Sequence, residues 1–127
     1  MAGWVTAEIA YNKATSYYEK YLRNSLDIIM NYIVKASEEG RFSTEVKCSE
    51  FIKGERTIIY EQRYNVCKKV NVRKEVDEFY DGNTLNERGN ALLSVIINVL
   101  EKRGFSVKKF VIYPNTECIL IKWEGVK

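Results

Sequence analysis

Residues 84–104, TLNERGNALLSVIINVLEKRG, constrain this chain more than any other stretch, because both ends of a helix are written into them. Thr84 with Glu87 three residues later has the spacing of a capping box, in which each side chain satisfies a backbone N–H that the helix start leaves unpaired. Leu85, Leu92, Leu93, Ile96, Val99 and Leu100 then recur at helical spacing along one face. Gly104 stands where a left-handed residue ends a helix, and Lys102 and Arg103 suit the negative end of its dipole. A buried amphipathic helix is expected here, with the rest of the chain assembled around it.

A second helix is expected from Thr6, as its cap, to about Glu39, closed by Gly40. Tyr18, Leu22, Ser25, Ile29, Ile33 and Ala36 hold one face along it. About 34 residues in a helix measure roughly 50 Å, more than a small domain covers. Either its first turns form a separate helix, or one end projects and packs on another subunit. Tyr11, Tyr17, Tyr18 and Tyr21 form an aromatic band upstream. They either half-bury against a sheet or make a dimer contact, since Tyr is enriched at interfaces.

Between the helices, residues 41–48 alternate with Phe42, Thr44, Val46 and Cys48 on one face, as a half-buried strand does. Residues 56–72 are strand-like throughout. They make either one bent strand or a hairpin turning near Tyr64 and Asn65, neither of which is a strong turn former. After the second helix, residues 105–113 and 118–123 pair as a hairpin through a turn at Pro114. The last strand is apolar on both faces, which predicts a central position or cover from a partner subunit. The expected class is α+β: a single domain over residues 1–127, with two helices on a four- to five-stranded, mainly antiparallel sheet in the order α-β-β(-β)-α-β-β.

Composition narrows the chemistry. The 127 residues carry 20 Lys and Arg against 17 Asp and Glu, a balance too even for a dedicated nucleic-acid binder. There is no histidine, which removes Ser-His-Asp and Cys-His catalysis and the commonest zinc ligand. Cys48, Cys67 and Cys118 are widely spaced and odd in number, so neither a metal site nor a disulfide framework is expected. No apolar run is long enough to span a bilayer, and no basic leader with an apolar core opens the chain. A non-enzymatic protein without cofactor or metal, acting in the cytoplasm, is expected.

Three pieces together carry a resemblance: ASEEGRFSTEV closing the first helix, LEKRGFSVKKF closing the second, and the ending ILIKW. The chain resembles small phage and prophage accessory proteins, and its order of elements is similar to that of the Thoeris anti-defence sponge proteins. Those oligomerise and sequester cyclic ADP-ribose-type signals made by bacterial immune enzymes. The resemblance implies a homo-oligomer that sequesters a nucleotide-type ligand in the cytoplasm of a bacterial host. No ligand motif of that family matches this chain residue by residue, so the resemblance assigns no site.

The residues themselves suggest candidates. Residues 75–83, EVDEFYDGN, place Phe79 and Tyr80 before a helix N-terminus, where free N–H groups favour an anionic ligand. Asn83, Asn86, Arg88 and Asn90 follow, and together these supply aromatic faces, amides and a cation for a nucleotide. Gly89 inside a helix costs about 1 kcal/mol relative to alanine, which the close approach of a backbone or a ligand would justify. Arg23, in the middle of the long helix, is ordinarily a surface residue but becomes a phosphate ligand if that face meets a second subunit. The alternative reading is a protein–protein inhibitor of a defence nuclease, with the acidic run Glu75, Asp77, Glu78 and Asp81 as a nucleic-acid mimic. Residues 63–74 are basic and acid-free, but the acids that follow at once make nucleic-acid binding the weakest of the three.

Overall fold

A computed structural model describes residues 4–124. The chain is α+β. Helix α1 spans Ala7–Glu38, with the Thr6 side chain accepting a hydrogen bond from the Ile9 N–H at 3.2 Å. It is one unbroken helix of 32 residues, about 48 Å long. It ends as expected: Gly40 takes a left-handed φ of 78°, and Arg41 N–H reaches back to Ala36 O at 2.9 Å. Strand β1 (Ser43–Lys47) and a four-residue helix α2 (Cys48–Phe51) follow. Strands β2 (Arg56–Asn65) and β3 (Lys68–Asp77) come next, then the short β4 (Tyr80–Asp81) and β5 (Thr84–Leu85). Helix α3 (Glu87–Lys102) leads into β6 (Ser106–Ile112) and β7 (Thr116–Lys122).

The strands do not form one sheet of four or five. They divide into an antiparallel three-stranded sheet of order β1-β7-β6, a separate hairpin β2-β3 and a minimal pair β4-β5. The last strand is central, as its two apolar faces foretold: Thr44 pairs with Ile121 and Val46 with Ile119 on one side, Val107 with Ile121 on the other. Residues 56–72 take the hairpin alternative and not the bent strand: they hold β2, its loop and the first half of β3. The loop is Val66-Cys67, with φ of 49° and 62°, two residues beyond the expected turn. Positive φ at both loop residues is the arrangement whose twist matches that of the flanking strands.

One core gathers Ile29 and Ile33 of α1, Leu92, Leu93, Ile96 and Leu100 of α3, and Val46, Ile119 and Ile121 of the sheet. The two long helices therefore share one face of the three-stranded sheet. Phe51 and Ile52 are fully buried beside them, and the buried Ser25 hydroxyl donates to Phe51 O at 2.6 Å. The buried residues of α1 begin only at Ser25. Residues 7–14, its first two turns, are exposed, Tyr11 among them.

The start of α3 corrects the expected capping box. Thr84 lies in β5, its hydroxyl donating to Asp81 O at 3.1 Å, and Leu85 drops into the core ahead of the helix. Asn86 is the cap, accepting from the Gly89 N–H at 2.9 Å. The β4-β5 hairpin takes up Thr84 and Leu85, so the cap falls two residues later than the Thr-x-x-Glu spacing placed it. Gly89 packs under the main chain, where an added Cβ would stand 2.3 Å from Phe79 O and 2.7 Å from Leu85 Cδ2. A neighbouring backbone, not a ligand, requires the glycine.

Candidate functional site

The β2-β3 hairpin has the longest strands among the described residues, and they lie outside the core. Each strand is ten residues long, about 33 Å, and no residue of either is buried. Tyr60 is 68%, Tyr64 74% and Val66 89% exposed. The hairpin is joined to the body at its foot, where Glu78 N–H donates to Glu55 O at 3.0 Å and Glu55 N–H to a carboxylate oxygen of Glu78 at 3.1 Å. That carboxylate also accepts from the Tyr17 and Tyr21 hydroxyls, the latter at 2.5 Å, so the foot is tied to α1. Burial raises the Glu78 pKa, but the hydroxyls of Tyr17 and Tyr21 outweigh it and hold the carboxyl below its ordinary value. Tyr21 is pushed up to about 12, by burial first and by its bond to Glu78 second. Tyr17 is raised mainly by its own bond to Glu78.

Beside the foot opens a cleft of about 550 Å³. Five carboxylates line it: Glu55, Asp77, Glu78, Asp81 and Glu87, with Arg88 as the one cation. Thr57 and Val76, a register pair on one face of the hairpin, form its wall on that side. Arg88 stands over the Tyr17 ring, 5.6 Å from its centroid. Among the described residues no group of three or more Asp, Glu or Cys side chains is placed to hold a metal ion.

The seven residues singled out in the sequence do not make one site. Phe79 is fully buried, its ring edge-on to Tyr21 at 4.8 Å, because the turn into β4 folds it inward over α3. It is a core residue, not a stacking face for a ligand. The Tyr80 hydroxyl donates to Ile52 O at 3.0 Å, and burial raises its pKa. Tyr80 and Asn83 border a second cavity of about 460 Å³ on the other side of the foot, with Lys53, Arg56 and Asp77. Asn86 caps α3 and donates to Glu78 O at 3.0 Å, while Asn90 donates to Leu85 O at 3.3 Å. Only Asn86 and Arg88 share the acidic cleft. Arg23 lies exposed on α1 and lines none of these cavities.

Sequence reasoning passed over Glu55, Glu87 and the two tyrosines that bind Glu78. The tyrosines left a trace, since Tyr17 and Tyr21 are four apart and face the same way. Glu55 and Glu87 left none, being 32 residues apart until the hairpin and the β4-β5 turn bring them to one rim. Comparison with protein-family models, with curated proteins and with solved structures finds no match to this chain.

Proposed function

We propose that the chain is a non-catalytic binding protein whose working element is the projecting β2-β3 arm with the acidic cleft at its foot. One observation carries this reading: ten-residue strands stand clear of the core with apolar, aromatic and basic side chains in solvent. An isolated two-stranded hairpin is marginally stable in water, so a long one with Ile58, Ile59, Tyr60, Tyr64 and Val70 exposed is a surface built to be covered. Arg56 and Asp77 face each other at the foot. Joining them through an Asn-Gly turn in place of residues 57–76 therefore removes the arm without disturbing the body. The trimmed protein is expected to stay folded by circular dichroism and to lose every association of the full chain. Unchanged association would refute the reading.

Sequestration of a nucleotide-type signal to blunt a bacterial defence, which the resemblance suggests, is a second proposal. A cleft of this volume suits a small ligand, and Arg88 on its rim offers a cation. Five carboxylates around it repel phosphates, which favours a basic protein surface as the guest, as the nucleic-acid-mimic alternative requires. Incubation with cyclic ADP-ribose isomers and cyclic oligonucleotides, followed by heating, separates the two. Release of unaltered ligand supports sequestration, and no binding by any of them ends it.

A further inference from the structure

We propose that the arm docks on the arm of a second copy of this chain, turned end for end, so that the basic tip of each fills the acidic cleft at the foot of the other. The inference rests on the reading of the arm as the docking element, and it adds the occupant.

The arm is electrically polar along its length. Its far half, residues 61–72, carries Arg63, Lys68 and Lys69 against Glu61, whereas Arg73 and Lys74 stand in the half nearer the foot. The foot carries Glu55, Asp77, Glu78, Asp81 and Glu87 around one cleft. About 33 Å separates the two ends. A two-fold axis across such a ribbon sets tip against foot twice, and an isologous contact requires that self-complementarity.

One face of the arm carries all the parts in order. Antiparallel partners share a face, so Thr57 and Val76, Ile59 and Lys74, Glu61 and Val72, Arg63 and Val70, and Asn65 and Lys68 lie together. The acidic cleft opens beside Thr57 and Val76 on that face. Ile59, Val70 and Val72 form an apolar middle, and Val72, at half-length, falls near the axis. Arg63 and Lys68 occupy the far end. Arg63 and Lys74 both pair with Glu61 at mid-arm, whereas Lys68 makes no salt bridge among the described residues. Like charges meet if the two arms lie in the same direction, so the charge pattern also fixes the orientation. One face of the two strands offers ten residues, and only with the loop and the cleft lining does the contact approach the about 20–30 per side of a stable interface of standard size. In the paired form the cleft is completed by the partner copy, whose Arg63 and Lys68 offset half of the net negative charge that five carboxylates and Arg88 leave.

A charge-swap experiment with the full chain tests the pairing. Light scattering at low micromolar concentration is expected to return twice the 14.8 kDa of one chain. Reversing the tip (Arg63→Glu with Lys68→Glu) is expected to weaken association at least about 100-fold and leave single chains. Reversing the foot (Glu55→Lys with Glu87→Lys) does the same. Mixing the two variants restores the double mass, since each then carries the complement of the other. Circular dichroism verifies that both variants are folded. A wild type of single-chain mass overturns the second copy as occupant but leaves the arm free to dock elsewhere. Double mass in both reversed variants, with loss of it on Leu22→Glu in α1, removes the arm as a docking element altogether. Folded variants that stay single when mixed overturn the proposed orientation.

Discussion

The body and the arm are built from the same residue types and behave oppositely. In the body, Ile29, Ile96, Leu100, Ile119 and Ile121 are all fully buried in one cluster. In the arm, Ile59 and Val70 share one face and Ile58 lies on the other, yet all are exposed. Apolar pattern fixes which face of an element is apolar. Whether that face is covered depends on what the rest of the chain can reach. Helices α1 and α3 fill one side of the three-stranded sheet, and none of the described residues covers the hairpin.

The sharpest way to break the comparison is to make the same type of change in both regions. Ile96→Ala empties a site enclosed on all sides and is expected to cost about 2–5 kcal/mol. Ile58→Ala on the arm face turned away from the cleft is expected to stay within about 0.5 kcal/mol. Urea titrations of the two variants measure both, and comparable losses would mean that the arm is packed as the body is. Next in size is Gly89→Ala. Helix propensity alone favours alanine by about 1 kcal/mol. The added Cβ would meet Phe79 O and Leu85, so a net loss of about 1–3 kcal/mol is expected. A gain would mean that the β4-β5 turn does not press on α3.

The smallest effect concerns the tie between the two regions. Glu78 is held below its ordinary 4.5, so its contribution is present above that pH and is lost as pH falls through the lower folded value. Tyr21 is raised from 10.0 to about 12, so its contribution is present below pH 10 and is lost as pH rises towards 12. The protection of the amides of residues 55 and 78, taken relative to their intrinsic exchange rate at each pH, should therefore fall at both extremes while that of the Ile96 region holds. Glu78→Gln should flatten the acid limb, and an unchanged acid limb would show that another carboxylate governs it.

Much of the fold was legible locally. Gly40 and Gly104 follow their helices with positive φ, as a glycine after each apolar stripe suggested. The doubly apolar last strand is central for the reason that its pattern gave. The candidate site was less legible. Phe79 and Tyr80 read as aromatics in a polar loop, and only the fold decides that one enters the core while the other reaches Ile52 O. Asn86 and Asn90 read as ligand amides, but amides near a helix start bond equally well to the backbone, and these do.

The sequence by itself determined the α+β class, the two ends of α1, the stripe of α3 and the pairing of the last two strands. Those follow from periodicity, caps and turns, which act over a few residues. Tertiary structure alone decided that the strands divide into three sheets, that the hairpin stands free, and that acids at 55, 77, 78, 81 and 87 share one rim. Such juxtapositions depend on which surfaces compete for cover and on how distant segments meet, and no local pattern encodes either.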